Sequence, residues 1–137
     1  MTVYLTRIEH FSAAHRLWVD GWSEEKNMAQ FGKCAHKNYH GHNYKLFVTV
    51  KGTPDETTGM VANAKYISKV VNKHIIDKLD HRNLNLDPSF LPEGKQTTAE
   101  NLAYYIWHAL APHLENCELH CIKLQETDKI YTEYYGE

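Results

Sequence analysis

The sequence predicts an α+β fold in which two helices lie on one face of a four-stranded antiparallel sheet, in the order two strands, two helices, two strands. Three observations predict it. Runs rich in β-branched and aromatic residues open and close the chain, two segments with a helical apolar period occupy its middle, and 137 residues suffice for one core but not two. A single domain over residues 1–137 is expected.

The first strand is TVYLTRIEHF, residues 2–11, continuing towards Ala14 or His15. Residues 19–38 have no clear period and include Gly21 and Gly32, so they read as a long loop of the kind that usually serves function. HNYKLFVTVK, residues 42–51, predicts the second strand, closed by the turn residues Gly52-Thr53-Pro54-Asp55. Over residues 63–79, Ile67, Val70, Val71, Ile75 and Leu79 recur at helical spacing. Thr97 or Thr98 caps a second helix through Leu102, Ile106 and Leu110, which Pro112 kinks or ends. Residues 118–127 and 129–135 read as the last two strands, joined near Thr127-Asp128. Helices on one face leave the other bare. Tyr44, Phe47 and Val48 put apolar side chains on both faces, which implies that another subunit covers the second.

Composition narrows the function classes. Fifteen basic against seventeen acidic residues give a formal charge of -2, without the positive surface that nucleic acid or acidic lipid requires. No apolar run reaches the ~18 residues of a membrane span, and three scattered cysteines make a poor disulfide framework. A cytoplasmic protein with no nucleic-acid or membrane partner is expected. The oddity is ten histidines, several of them crowded between His36 and His42.

In His40-Gly41-His42 the period-2 pleat of a strand turns both imidazoles to one face. His15, at the end of the first strand, supplies a third nitrogen if the two strands pair. Three imidazoles with a fourth position open make the ligand set of a catalytic zinc site; a turn with exposed imidazoles is the competing reading. Cys34 lies six positions before His40 on the preceding loop. Beside zinc a thiol becomes a proton acceptor near neutral pH. Its rival readings are an inert buried thiol and a fourth ligand closing a structural site, while Cys117 and Cys121 read as core residues. Asp80-His81 follows the first helix, either as a proton carrier tuned by its carboxylate or as a helix end where His81 and Arg82 complement the dipole. Glu126, near a strand end, offers acceptor oxygens to an amino-pyrimidine edge; Glu100 could do the same or serve only as a first-turn acid. Arg7, Arg16 and Lys33 are cations able to meet a polyphosphate, and each otherwise reads as ordinary surface charge.

Taken together, FSAAHRL (11–17), FGKC with HGHNY (31–44), LDHRNL (79–84), TAEN (98–101) and QETD (125–128) resemble the 6-pyruvoyl tetrahydropterin synthase family, which includes 6-carboxytetrahydropterin synthase. The resemblance implies a tunnelling fold (T-fold), in which the sheets of several subunits close into a barrel, usually as a homohexamer. It implies zinc on His15, His40 and His42, Cys34 as base, and an Asp80–His81 relay reaching the site from a neighbouring subunit. It further implies Glu126 as pterin anchor, with Thr98 and Glu100 lining the pterin pocket. The implied reaction converts 7,8-dihydroneopterin triphosphate to 6-pyruvoyl-tetrahydropterin with loss of triphosphate. The alternative is the carboxy-pterin product of the queuosine branch, with release of acetaldehyde; a remoter one is a non-catalytic zinc-stabilised binding module. The five residues between Cys34 and His40 resemble the pyruvoyl form, whereas Ala62-Asn63-Ala64-Lys65-Tyr66 departs from the family's usual helix start.

Overall fold

The computed structural model describes residues 1–137. Two long strands form its spine: β1 (Val3–His15) and β2 (His40–Gly52) pair antiparallel along their whole lengths, from Val3 opposite Gly52 to His15 opposite His40. β2 pairs on its other edge with β4 (Glu118–Thr127), which pairs with β5 (Ile130–Tyr134), both antiparallel. These four strands are the expected ones. The sheet, however, is five-stranded and mixed, in the order β3-β1-β2-β4-β5, because β3 (Arg82–Asn83) adds a short parallel edge beside Ala13 and Ala14. Two residues are too few to leave a period in the sequence, so the four-stranded antiparallel expectation is corrected here.

Residues 19–38, expected as loop, contain α1 (Glu24–Phe31) and a 3₁₀ turn (Gly32–Ala35). Ser23 caps α1 by accepting from the Lys26 backbone N–H. The only buried residue of α1 is the polar Asn27, so no apolar stripe announced the helix. Gly32, at φ 57, ends it in a backbone region open to glycine. The first expected helix runs as one rod: α2 (Ala64–Val71), a π-helical stretch (Asn72–Ile76) and α3 (Asp77–Leu79). The π stretch inserts a residue, which is why the neighbouring Ile75 and Ile76 are both buried beside Val71 and Leu79. Thr98 caps α4 (Ala99–Leu110), its hydroxyl accepting from Asn101 N–H, and a 3₁₀ turn containing Pro112 follows.

α2 and α4 cover one face of the sheet. Phe11, Ala13, Tyr44, Leu46, Val48, Val50, Ile122 and Leu124 point into that core, against Ile67, Val71, Leu102 and Ile106. Tyr44 and Val48 therefore share the covered face, and Phe47 lies on the other, with Tyr4, Ile8 and Tyr131 exposed. No helix is long and apolar enough to cross a membrane.

Candidate metal and active site

The register places the chemistry. Because His15 stands opposite His40 where the β1–β2 ladder ends, and His42 follows two residues on, all three imidazoles project on the helix-covered face. Their ligating atoms lie within 4.8 Å of one another, and the group is His15, His40 and His42 without Cys34. His15 is almost wholly buried; His40 and His42 are half-buried.

His15 fixes the chemistry of the cluster. Its Nδ1 lies 2.8 Å from the Thr97 carbonyl oxygen and 3.1 Å from the Thr97 hydroxyl. A carbonyl only accepts, so Nδ1 carries the proton, and in a neutral imidazole Nε2 then presents its lone pair. Glu126 Oε1 stands 3.3 Å from that Nε2 and 3.2 Å from His42 Nε2. The His42 contact is not aligned as a hydrogen bond, and both ring nitrogens of His40 are buried without partners. Three ring nitrogens and a carboxylate converge here, with both nitrogens of His40 and Nε2 of His42 left without hydrogen-bond partners, so the residues present fit a metal ion. His15, His40 and His42 could hold one.

Electrostatics prepare the ligands. Burial first, and then the neighbouring imidazoles, hold His40 below the ordinary imidazole value of 6.5. Burial lowers His42 likewise, opposed by Glu126. Contact with His15 keeps the Glu126 carboxyl below its usual range, against the opposite pull of burial. Lowered imidazoles at His40 and His42 take up protons only in more acidic solution than an ordinary imidazole of 6.5, so at these two ligands protons compete with the metal chiefly beneath that value. Metal content measured after equilibration across a pH series should hold through that value and fall beneath it; loss already at pH 7.5 would contradict the burial.

The sequence offers Thr97 only as a helix cap, and nothing local shows that it meets His15, 82 positions away. Thr97→Val keeps the carbonyl and removes the hydroxyl. Metal affinity is expected to fall about tenfold, the lower end of what a group supporting a ligand contributes. Competition with a chromophoric chelator measures it, and unchanged affinity would assign His15's orientation to the carbonyl alone.

The loop that carries Cys34 returns to this cluster. Leu17 N–H donates to the Cys34 carbonyl at 2.8 Å, tying the far end of the loop to the residues just past His15. Asn27, fully buried, clamps its middle: Oδ1 accepts from Val19 N–H at 2.8 Å, and Nδ2 donates to the Val19 and Ser23 carbonyls. Cys34 is half-buried and unbridged. The Tyr44 hydroxyl is 3.5 Å from His15 Nε2. Burial, with Glu126 and Cys34, pushes its ionisation well up and keeps it protonated. Asn27 lies in no motif, and Tyr44, although it closes HGHNY, reads in the sequence only as an apolar strand residue, so neither stands out there as a site residue.

Glu126 follows the buried Ile122 and Leu124 at strand period 2, which turns it to the same face as the imidazoles, and it sits at a β-bulge between Gln125, opposite Tyr131, and Thr127, opposite Ile130. Asp80 and His81 are not brought there within the chain. Asp80 Oδ1 accepts from Ser12 N–H and its Oδ2 pairs with His81 Nδ1 at 2.8 Å. His81 is 83 % exposed and sits in the left-handed region at φ 61. With Ser12, Ala14, Gly41 and Asn43 it borders a recess of about 550 Å³ on the face of β1–β2 away from the imidazoles. Thr98 is spent on its cap, and Glu100 is exposed in the first turn of α4.

A mixed-sheet α+β chain that gathers three histidines able to hold a metal ion at the end of its central strand pair, beside a loop with a free thiol, defines a class of proteins with a candidate metal site. Comparison with known proteins narrows the class. A family model described as 6-pyruvoyl tetrahydropterin synthase matches residues 4–137. The 6-pyruvoyl tetrahydrobiopterin synthase of Pongo abelii is 45% identical over 127 residues, covering 93% of this chain and 87% of that protein. The 6-carboxy-5,6,7,8-tetrahydropterin synthase of Haemophilus influenzae is 31% identical over 124 residues, covering 75% of this chain and 84% of that protein. The structure of Caenorhabditis elegans 6-pyruvoyl tetrahydropterin synthase superposes with a TM-score of 0.92 at 36% identity, over 100% of this chain and 97% of that one. The chain belongs to the 6-pyruvoyl tetrahydropterin synthase family.

Proposed function

We propose that the chain converts 7,8-dihydroneopterin triphosphate to 6-pyruvoyl-tetrahydropterin with release of triphosphate, as a cytoplasmic zinc lyase built from a single domain. The observation that carries this reading is the convergence of ring nitrogens from His15, His40 and His42 beside the loop of Cys34. Zinc, when bound, would supply Lewis acidity towards the hydroxyl-bearing side chain of the pterin. Cys34 removes a carbon-bound proton of that side chain, and the loop tied by Asn27 and by the Leu17–Cys34 bond holds the sulfur still while it does so. Glu126 anchors the pterin ring. Its Oε1 faces the imidazoles, and Oε2 makes no hydrogen bond within the chain, leaving it for a ring N–H. Thr98 and Glu100 belong to the pocket rim.

The Asp80–His81 dyad returns protons from a neighbouring subunit, a role its exposure and its place behind the strand pair support. The partners are copies of this chain in a homohexamer whose sheets join into a barrel. That arrangement covers the bare face carrying Tyr4, Ile8 and Tyr131.

Identity of 45% to a pyruvoyl-forming relative against 31% to a carboxy-forming one supports the pyruvoyl product. Incubation of the zinc-loaded protein with 7,8-dihydroneopterin triphosphate, followed by mass spectrometry, tests it. 6-Pyruvoyl-tetrahydropterin and free triphosphate are expected. Acetaldehyde with the 6-carboxy pterin would assign the chain to the queuosine branch, and no turnover would leave a zinc-stabilised binding module.

A further inference from the structure

Three cations stood as candidates for a polyphosphate, and the structure separates them. Arg7 is already committed, its Nε 3.0 Å from Glu9 Oε1. Lys33 is exposed on the 3₁₀ turn. Arg16 is half-buried, and no carboxylate pairs with it. Its guanidinium carbon instead stands 4.3 Å over the Trp18 ring and 5.9 Å from that of Tyr39.

The placement follows from the strand pair. The β1–β2 ladder ends with His15 opposite His40, so Arg16 and Tyr39 are the next two residues across from each other, each adjacent in sequence to a metal-site histidine. Both are held. Asn85 grips the Arg16 backbone from either side, its Oδ1 accepting from Arg16 N–H at 2.9 Å and its Nδ2 donating to Arg16 C=O at 3.0 Å. Tyr39 is in the left-handed region at φ 66, a conformation that costs a non-glycine residue and persists only where surroundings enforce it.

Arg16, Trp18 and Tyr39 line a cleft of about 870 Å³ together with Lys95, Gln96 and Thr97. Thr97 is the residue that accepts from His15 Nδ1, so one wall of the cleft touches the histidine cluster. Three carboxylates also border it. Asp20 and Glu93 are exposed at its rim, and Asp87 Oδ2 is engaged by Asn83 N–H at 2.7 Å. Stacking on aromatic faces leaves the N–H edge of a guanidinium free, and that edge matches two oxygens of a phosphate.

We propose that Arg16, stacked on Trp18 beside Tyr39, is a polyphosphate-binding residue that seats the triphosphate of the substrate in this cleft. The proposal rests on the functional reading above for its ligand, but its test does not need turnover. Inorganic tripolyphosphate is titrated into the zinc-loaded protein by calorimetry at fixed low ionic strength, with metal content counted per chain. Arg16→Gln should weaken tripolyphosphate at least tenfold, and Arg16→Lys should restore only part of the loss because an ammonium cannot bind bidentately. In steady-state assays Arg16→Gln should raise KM by a similar factor. If the wild-type protein fails to bind tripolyphosphate, or Arg16→Gln binds it equally with full metal content, the proposal is overturned. Arg16-dependent binding without pterin product would uphold the anion site and sink the functional reading; product formation with an unchanged KM in Arg16→Gln would do the reverse.

Discussion

His40→Ala is expected to leave the protein folded, without its metal and almost without activity. His40 contributes nothing to the fold that its loss would uncover: both ring nitrogens are buried and make no hydrogen bond. A buried polar atom without a partner costs about 1–3 kcal/mol. Removing the ring relieves that cost while opening a small cavity. The metal-free variant should therefore melt within a few degrees of the metal-free wild type. The metal-loaded wild type should melt well above both, because an ion bound only by the folded state stabilises it. Losing a Lewis acid forfeits several kcal/mol of transition-state stabilisation, and at about 1.4 kcal/mol per decade turnover should fall on the order of a thousandfold. Metal analysis, calorimetric melting and product formation on one preparation test the three statements. A variant that retained stoichiometric metal would remove His40 from the ligand set.

Cys34→Ala is expected to separate chemistry from metal binding. The three ligating atoms come from β1 and β2 and do not include the thiol, so metal content should stay at the wild-type level. The loop should also keep its shape, because Leu17 bonds the Cys34 backbone carbonyl and Asn27 clamps the middle, neither through the sulfur. Turnover should nevertheless fall about 10²–10⁴-fold, the usual contribution of a positioned general base. Full turnover with metal bound would show that another group removes the proton. Tyr44 is a poor substitute, since burial with Glu126 and Cys34 beside it keeps its hydroxyl protonated.

The parts of this site that were legible in the sequence are those that regular geometry encodes. His40 and His42 share a face because a strand has period 2, and His15 joins them because two long, well-patterned strands pair end to end. The two apolar helices announced themselves by period, as did the four long strands. What stayed hidden depends on distance or irregularity. Thr97 reaches His15 across 82 positions, and the pairing of Glu126 with both His15 and His42 depends on three strands meeting in space. β3 is two residues long, and α1 buries an asparagine where a stripe of leucines would have been recognised. Ser23, followed by two acidic residues, was a capping signal that could have located α1. The Asp80–His81 pair was legible as a motif, but its place behind the strand pair, away from the imidazoles, followed only from the backbone bonds to Ser12.

Everything attributed to this chain depends on an ion held by three imidazoles with a thiol left free. X-ray absorption at the metal edge of the zinc-loaded protein tests this most directly. Three nitrogen neighbours at about 2.0–2.1 Å with one light oxygen and no sulfur are expected. A sulfur at about 2.3 Å would make Cys34 a ligand of a closed structural site and contradict its role as base.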